Sequence, residues 1–344
     1  MQLNDFDYEL PGELIAQEPA PDRSGSRMLV VRRSDGALID RGFSDFPDAL
    51  QQGDVLVINN TRVFPARLLG TSDTGANVEI FLVEREGLAV WHALARPARR
   101  LKPGKRVSFS EGFAGSVIEV EDGGRIRFEF EFEGDFEKRL DEVGRTPLPP
   151  YIVRDQKQPV ENDRDRYQTV YAKHRGAIAA PTAGLHFTDQ VFDSIRSRGV
   201  EVVEITLHVG YGTFEPVRED DLSRHAVMPE RYEIGEDAAG VLNEARRQGR
   251  RIVAVGTTTT RALESALAQS QHFIESDGLA DLTITPGYRF RAVNALLTNF
   301  HLPKSSLLIL VSTFGGHELI MNAYRHAVSS RYRFYSYGDC MFIE

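Results

Sequence analysis

The chain changes its pattern of strands and helices at a proline cluster, residues 147–150, and this change constrains the fold more than any other feature. The stretch before it, residues 66–150, consists of short strand-like segments separated by glycine-containing turns. In residues 125–133, apolar side chains occupy every second position and charged side chains lie between them. This period of two predicts a half-buried antiparallel strand, and several such strands predict a small barrel or sandwich.

The rest of the chain predicts a different architecture. Residues 151–344 alternate strand-like and helix-like segments, which is typical of α/β proteins. The apolar strand at residues 55–58 has no helical partner nearby, so we expect it to join the later sheet. The sequence therefore predicts a discontinuous α/β main domain, residues 1–65 and 151–344, with an inserted small all-β barrel domain, residues 66–150.

Three segments of the second half carry specific local signals. Thr188 suits a helix N-cap and Gly199 a helix end, so we expect a helix between them. The apolar run at residues 307–311 predicts a buried strand. Residues 318–329 predict the last helix of the chain.

Charge and cysteine content exclude several classes of protein. The 344 residues include 41 Lys and Arg against 50 Asp and Glu, a net charge of −9, so the chain is not a basic nucleic-acid coat protein. The single cysteine, Cys340, excludes an internal disulfide bond and a cysteine-based zinc site, and it fits a reducing compartment. No apolar stretch approaches the ~20 residues of a membrane span, and the start lacks a signal-peptide pattern. We expect a cytoplasmic protein with no membrane partner.

Polar residues and glycines collect where the predicted strands end. Ligands of open α/β sheets bind outside the carboxyl ends of the strands, so we expect these turns to converge on one cleft. The alternative is that each is a satisfied turn, since Asn and Thr favour turns. The five turns span residues 59–62, 181–186, 208–213, 256–261 and 299–301. The candidate substrate-binding residues in them are Asn59, Asn60, Thr61, Arg62, Thr182, Gly184, Gly210, Gly212, Thr257, Thr258, Arg261 and Asn299.

Three histidines, His186, His208 and His301, lie in these turns. A single histidine is more often a structural hydrogen-bonding residue than a catalyst, and the spacing of these three does not support a metal site, so we expect no metal. The turn at residues 256–261 lacks the Gly-Lys of a P-loop, which disfavours triphosphate hydrolysis. The absence of a nucleophile elbow disfavours hydrolases of that type.

Two basic stretches stand out against the acidic total. Residues 96–106 contain six Lys and Arg and no acid, and residues 331–337 interleave arginine with aromatic side chains. Positive charge binds phosphates and aromatic rings stack on unpaired bases, so both stretches are candidates for RNA contact. The alternatives are a solvated loop for the first stretch and a strand with alternating core rings for the second.

Long blocks of the sequence resemble one family from residue 6 to residue 343. The blocks are FDYELPGELIAQEPAPDRSGSRML, NNTRVFPARL, PYIVRD, RYQTVYA, AAPTAGLHFT, HVGYGTFEPV, VGTTTTRALES, PGYRF, TNFHLPKSSLLILV and YRFYSYGDCM. In this order they resemble the S-adenosylmethionine:tRNA ribosyltransferase-isomerase family of queuosine synthesis. Four positions depart from the family pattern: Met228 replaces a second histidine, Asn294 an aspartate, and Thr259-Thr260 a Ser-Val pair.

The resemblance implies a reaction, its substrates and a fold. Enzymes of this family transfer and isomerise the ribosyl part of S-adenosylmethionine onto 7-aminomethyl-7-deazaguanine at the tRNA wobble position, giving epoxyqueuosine and releasing adenine and methionine. S-adenosylmethionine is consumed as a substrate, and no other cofactor is implied. The implied partner is tRNA that carries this base, and the implied fold is an α/β main domain with an inserted β-barrel.

The implied chemistry suggests roles for individual residues. A base must remove a proton beside the sulfonium, and a donor can protonate the departing adenine. The acid and base candidates are His186, His208, His301 and Asp339. Arg62 or Arg261 suits the methionine carboxylate, and Phe187, Phe300 or Tyr211 suits the sulfonium through cation–π contact.

The basic stretches are the candidates for tRNA contact. We expect Arg99, Arg100 and Lys102 to reach phosphates from the barrel. We expect Arg331 and Arg333 to lie nearer the anticodon loop, with Tyr335 or Tyr337 available for stacking.

Two other classes of function are weighed against this one. An RNA-binding protein without chemistry would keep the basic stretches but not the polar strand-end turns. An S-adenosylmethionine-dependent RNA methyltransferase would want a glycine-rich first turn between strand and helix, which the sequence lacks.

Overall fold

The computed structural model describes residues 1–121, 124–154, 163–214, 217 and 219–344, without the side chains of Arg100, Thr213 and Phe214. The described residues form two compact units. The first contains residues 1–62, 150–154 and those from 165 onward, and the second contains residues 63–149 with 163–164.

The helices and strands of the described residues follow one another in a mixed order. The strands are β1 (Arg27–Val31), β2 (Leu38–Gly42), β3 (Val55–Asn59), β4 (Thr61–Val63), β5 (Arg67–Ser72), β6 (Asn77–Arg85), β7 (Val90–Arg96), β8 (Arg106–Ser110), β9 (Phe113–Val120), β10 (Arg125–Phe132), β11 (His174–Ala177), β12 (Glu201–Leu207), β13 (Glu230–Ile234), β14 (Ile252–Val255), β15 (Ser276–Ala280), β16 (Ala295–Asn299) and β17 (Cys340–Ile343). The helices are α1 (Phe46–Ala49), α2 (Phe136–Val143), α3 (Asp163–Arg166), α4 (Asp189–Ser197), α5 (Glu236–Gln248), α6 (Thr257–Gln269), α7 (Ser306–Gly315) and α8 (His317–Ser329).

The first unit is built on a nine-stranded mixed sheet of described residues in the order β15-β13-β12-β3-β14-β16-β17-β1-β2. Its centre, β12-β3-β14-β16, is parallel, so these four strands end at the same edge of the sheet. The early strand β3 does join the later strands: Val55 pairs with Glu201 on one side and with Ile252 on the other. The parallel centre with its helices confirms the predicted α/β architecture.

Helix α4 shows how the sequence positions these elements. The Thr188 hydroxyl accepts a hydrogen bond from the Val191 amide at 3.3 Å, as expected for an N-cap. The helix then buries Val191, Phe192 and Ile195 in a core that also contains Leu56 of β3 and Val253 of β14. A buried side chain of this size contributes about 1.5–3 kcal/mol, so the apolar face fixes α4 on the sheet.

The second unit contains a closed barrel of antiparallel strands in the order β10-β7-β6-β5-β8-β9. In β10, Ile126, Phe128 and Phe130 are buried, whereas the glutamates between the rings are exposed. The alternation of the sequence therefore marks the inner and outer faces of the barrel. The predicted inserted all-β barrel is confirmed.

One predicted element is wrong. Residues 307–311 form part of helix α7 and not a buried strand. The side chain of Ser305 caps this helix by accepting a hydrogen bond from the Leu308 amide at 3.2 Å. A short apolar run does not distinguish a buried strand from a buried helix. The capping serine before the run is the residue that indicates a helix. The last helix, α8, lies where the sequence predicts it.

No single helix of the described residues is long and apolar enough to span a membrane. Helices α7 and α8 together reach that length and composition, but their axes bend by 117°.

Candidate active site

The main cavity of the first unit lies at the carboxyl ends of the parallel strands. Its empty space, part of which is open to solvent, is about 530 Å³. The walls mix small apolar side chains, hydroxyl groups, an amide and an imidazole. The lining residues are Tyr167, Ala179, Ala180, Pro181, Thr182, Ala183, Val209, Gly256, Thr257, Thr258, Thr298, Asn299, Phe300, His301, Leu307, Tyr335 and Ser336.

Four of the five predicted turns contribute to this cavity. They supply Pro181 to Ala183, Val209, Gly256 to Thr258, and Asn299 to His301. The fifth turn, residues 59–62, does not line it. The cavity therefore brings together Thr182, Thr257, Thr258, Asn299 and His301 of the predicted site residues.

The start of helix α6 forms one wall of the cavity. Gly256 precedes the helix with a φ of +93°, a conformation that favours glycine, and no side chain caps the helix. The first amides of an α-helix have no acceptor within the helix and carry partial positive charge. The hydroxyls of Thr259 and Thr260 bond back to the carbonyls of Val255 and Gly256. The buried Thr258 hydroxyl, by contrast, makes no hydrogen bond with any described residue.

His301 is a neutral imidazole at the cavity wall. Its Nε2 lies 2.9 Å from the Thr298 hydroxyl, and its backbone amide donates a hydrogen bond to the Tyr324 hydroxyl at 3.0 Å. Burial lowers the pKa of His301 to about 3, because the charged form would lose its hydration. At neutral pH the ring is therefore unprotonated, and it suits a hydrogen-bonding or proton-accepting role rather than that of a cation.

His186 lies behind the cavity wall and contacts Asn299, which is part of that wall. Asn299 donates from Nδ2 to the carbonyls of Tyr335 and Ser336 at 2.9 and 3.3 Å, which leaves its Oδ1 facing His186. His186 Nε2 must then be the donor in its 3.2 Å contact with this oxygen, and Nδ1 accepts from the Ser26 hydroxyl at 3.0 Å. Burial lowers the pKa of His186 to about 4. Both ring nitrogens are engaged, so the geometry favours a positioning role.

The chain of contacts from His186 ends at Tyr335, whose backbone adopts a φ of +75°. Asn299 holds the carbonyl of Tyr335, and the Tyr335 amide donates to the Phe300 carbonyl at 3.1 Å. Burial raises the pKa of the Tyr335 phenol to about 12, so the group stays protonated at neutral pH. Tyr335 was predicted for base stacking, whereas the structure places it at the wall of the cavity.

The turn after β3 is occupied by contacts within the fold. The Asn59 side chain donates to the Leu207 carbonyl at 2.9 Å and accepts from the Leu207 and Thr61 amides. Asn60 bonds Glu204 and Thr206. These side chains connect β3 to β12. The contacts agree with the alternative interpretation of this turn, in which its polar groups bond within the fold.

His208 belongs to the same group of contacts. Its Nδ1 lies 2.8 Å from the Thr61 hydroxyl, and the ring packs so closely on Gly176 that a Cβ there would come within 2.6 Å of it. Burial is the largest cause of its lowered pKa. His208 does not line the cavity, although its neighbour Val209 does.

The two arginines predicted for the carboxylate lie elsewhere. Arg62 is exposed and does not line the main cavity. The buried Arg261 pairs with Glu230 at 2.6 Å and also donates to the carbonyls of Met228, Ala280 and Leu282. Its guanidinium is thus committed to this network of the fold.

A second cavity, of about 460 Å³, lies beside the Arg261 network and shares Leu307 with the main cavity. Gly212 and Met228 line it, and a Cβ on Gly212 would come within 2.9 Å of Met228. The amide of Gly210 donates to Glu230 at 2.8 Å. Gly184 is buried against Tyr171 near the main cavity rather than at its wall.

Asp339 closes the segment that carries Tyr335. Its carboxylate accepts hydrogen bonds from the backbone amides of Arg27 and Arg333 at 2.9 and 2.8 Å, and it is buried. Burial raises the pKa of Asp339. It does not line the main cavity, so the geometry gives it a role in the fold of residues 331–339.

The aromatic residues of this segment mostly face the core. Tyr332, Phe334 and Tyr337 are buried, so Tyr337 is not available for base stacking and that expectation is corrected. Arg331 is exposed, and Arg333 donates to the Glu18 carbonyl. These rings pack in the core because burying an aromatic side chain stabilises the fold. A ring that is buried in this way is not exposed for stacking on a base.

The aromatic candidates for the sulfonium also change. Phe187 is buried in the core around Phe43 and Phe192 and does not line the cavity. The Phe300 ring packs among Tyr324, Tyr332 and Phe334, but Phe300 does line the cavity, so it stays a candidate. The phenols at the cavity wall, Tyr167 and Tyr335, were missed for this role because sequence spacing gives no sign of which rings face a cavity.

The basic stretch of the second unit divides into paired and unpaired residues. Lys105 pairs with Asp73 at 3.1 Å and Arg106 with Glu131 at 2.9 Å. Arg99 and Lys102 are exposed, and no described carboxylate pairs with them. The side chain of Arg100 lies outside the described residues.

The described residues contain no group of three or more His, Cys, Asp and Glu side chains that could hold a metal ion. One departure from the family pattern, Asn294, has a local structural role. Asn294 accepts a hydrogen bond from the Ile252 amide at 2.8 Å through its side-chain oxygen, so a charge is not needed there.

Comparisons with known proteins agree over the full length of the chain. The family model described as queuosine biosynthesis protein matches residues 3–343. The S-adenosylmethionine:tRNA ribosyltransferase-isomerases of Symbiobacterium thermophilum and Geotalea uraniireducens are each 50% identical to the chain, and each match covers 100% of both sequences. The crystal structure of S-adenosylmethionine tRNA ribosyltransferase from Thermotoga maritima matches with a TM-score of 0.55 and 34% identity, covering 99% of this chain and 100% of that one. The chain therefore belongs to the family of queuosine biosynthesis proteins.

Proposed function

We propose that the protein transfers and isomerises the ribosyl moiety of S-adenosylmethionine onto 7-aminomethyl-7-deazaguanine at the wobble position of tRNA. The products are epoxyqueuosine in tRNA, free adenine and free methionine. The observation that carries the proposal is the main cavity: in a member of this family, four polar turns meet at the carboxyl ends of β12, β14 and β16. Its walls, which mix apolar side chains with hydroxyl, amide and imidazole groups, suit a nucleoside with a short polar chain.

The residues of the cavity suggest how the donor is handled. The sulfonium makes the adjacent ribose carbon acidic and methionine a good leaving group. Tyr167 and Tyr335 can face the cation with their rings, since a cation over a ring gains about 0.5–2 kcal/mol. Because the raised pKa of Tyr335 keeps its phenol protonated, it can also donate a hydrogen bond to departing adenine.

Of the four acid and base candidates, His301 is the one that lines the cavity. Its place at the wall supports it as the group that receives a proton from the donor sugar, although its lowered pKa makes the imidazole a weaker base than a free one. His186 acts one step further back, by holding Asn299 and through it the carbonyls of Tyr335 and Ser336. His208 and Asp339 support neighbouring segments of the fold.

The second substrate is tRNA that carries the modified wobble base. Arg99 and Lys102 are exposed on the second unit without a described carboxylate partner, which suits phosphate contact; Arg100 is their neighbour in sequence. Arg331 is exposed on the first unit, and Arg333 holds the chain beside it. A cytoplasmic location follows from a tRNA substrate, and S-adenosylmethionine is consumed without a further cofactor.

Analysis of the small-molecule products tests this function. The protein is incubated with S-adenosylmethionine and tRNA bearing 7-aminomethyl-7-deazaguanine, and the products are separated by liquid chromatography. Ribosyl transfer releases adenine, and methylation would release S-adenosylhomocysteine instead. Adenine release that needs both substrates supports the proposal. Formation of S-adenosylhomocysteine would contradict the proposal and indicate a methyltransferase.

A further inference from the structure

No lysine or arginine is among the described residues that line the main cavity, although the proposed donor ends in a carboxylate. Arg62 is exposed outside the cavity, and Arg261 is committed to Glu230 and three carbonyls. A carboxylate that enters a largely buried site needs hydrogen-bond donors to offset the loss of its hydration. The hydrogen-bond donors for this carboxylate must therefore come from another part of the cavity wall.

The start of α6 supplies such donors. The helix has 13 residues and no capping side chain, so the amides of its first turn point outward without an intrahelical acceptor. Gly256, Thr257 and Thr258 all line the cavity. A helix start of this kind favours an anion through both its amides and its dipole.

A second, independent feature of the same wall points to a ligand. Thr258 is 8% exposed, and its buried hydroxyl has no hydrogen-bond partner among the described residues. A Cβ placed on Gly256 would lie 3.7 Å from this hydroxyl and 3.8 Å from Ala183 Cβ, so the hydroxyl lies beside two residues that line the cavity. Buried hydroxyls are rarely left unpaired, because a buried polar group without a hydrogen bond destabilises the fold.

We infer that the start of α6, with the Thr258 hydroxyl and the amides of Thr257 and Thr258, binds the carboxylate of the methionine part of S-adenosylmethionine. This inference rests on the proposed function and adds the place in the site where the carboxylate of the donor binds. It replaces the two arginines as carboxylate ligands. It also orients the donor, because a carboxylate fixed at α6 directs the rest of the molecule toward Asn299, His301 and Tyr335 on the other walls.

Calorimetric titration with two ligands tests the assignment. The ligands are S-adenosylmethionine and its decarboxylated analogue, and tRNA with guanine at the wobble position is present so that no turnover occurs. The wild-type protein should bind the analogue about tenfold or more weakly, since charge-assisted hydrogen bonds are the strong ones. Thr258→Val, which removes the hydroxyl and keeps the shape, should weaken S-adenosylmethionine about tenfold and leave the analogue nearly unchanged.

Two further variants separate ligand contact from damage to the fold. Thr258→Ser keeps the hydroxyl and should retain the preference for the carboxylate. Thr313→Val removes a hydroxyl that bonds the Ile309 carbonyl within α7, away from the cavity wall, and should change neither affinity. Thermal unfolding of each variant checks the fold.

The possible failures are distinguishable. If Thr258→Val weakens both ligands equally, or if the wild-type protein does not discriminate between them, the carboxylate does not bind at α6 and only this inference falls. If neither ligand binds to the wild-type protein, the proposed function falls and this inference falls with it.

Discussion

Replacing His186 should make the stability of the protein less sensitive to acid. The ring is buried, it donates from Nε2 to Asn299 and accepts at Nδ1 from Ser26. Protonation would place a positive charge near the guanidinium groups of Arg23 and Arg333. These two groups add to the effect of burial in lowering the pKa of His186. The folded state therefore resists the proton that the unfolded chain accepts.

The magnitude follows from the two pKa values. Burial lowers the pKa of His186 from 6.5 to about 4. Between these values the unfolded state binds more protons than the folded state, so the free energy of unfolding falls as the pH falls from about 6.5 toward 4. At pH 5 the loss from this one group is about 2 kcal/mol relative to pH 7.

Urea unfolding at pH 7 and pH 5 measures the effect. The wild-type protein and His186→Gln are compared, and the quantity of interest is the difference in unfolding free energy between the two pH values. That difference should be about 2 kcal/mol smaller in the variant, whatever stability the substitution itself costs. His272→Gln serves as a matched control, since it removes an exposed histidine.

The same pH difference in His186→Gln as in the wild-type protein would refute the reasoning. It would mean that His186 accepts a proton in the folded state as readily as in the unfolded chain. The neutral ring, its fixed tautomer and its positioning role for Asn299 would then be wrong.

Three other variants, one of them a double substitution, test the assignments of the site. Asn59→Ala should lower the free energy of unfolding by about 2–3 kcal/mol, because it leaves the buried backbone of Leu207 unpaired, while KM for S-adenosylmethionine stays unchanged; thermal unfolding and initial rates measure both. Arg261→Gln should destabilise the fold by about 3–5 kcal/mol, since it leaves a buried glutamate without its partner, as urea unfolding would show. Arg99→Ala with Lys102→Ala should reduce the salt slope of tRNA affinity by about 1–2, and an unchanged slope would remove this stretch from the RNA path.

Much of the fold can be predicted from the sequence because its signals are periodic and long. The alternation in β10 separates an inner from an outer face of the barrel, and the apolar strand β3 needs partners on both sides. Helix α7 could not be predicted in the same way, since its five central apolar residues fit either a strand or a helix. The side chain of Ser305 decides between them, and a single capping residue is a weak signal in a sequence.

The candidate site is predictable at the level of turns but not of side chains. Strand ends identify the turns after β14 and β16 as ligand-facing, because parallel strands end at one edge of a sheet. Asn59 and Asn299 look equivalent in the sequence, yet one ties two strands together and the other lines the cavity. Which role an amide takes depends on the neighbours that the fold supplies, and local sequence does not contain them.

Following the atoms of S-adenosylmethionine through the reaction tests the central claim most directly. The donor is labelled with carbon-13 in the ribose, in the adenine or in the methyl group, in three separate reactions with tRNA that carries 7-aminomethyl-7-deazaguanine. Mass spectrometry of the digested tRNA and of the free products locates each label. The account predicts the ribose label in the wobble nucleoside, with the adenine label in free adenine and the methyl label in free methionine. A methyl label in the tRNA, or a ribose label that stays with adenine, would contradict it.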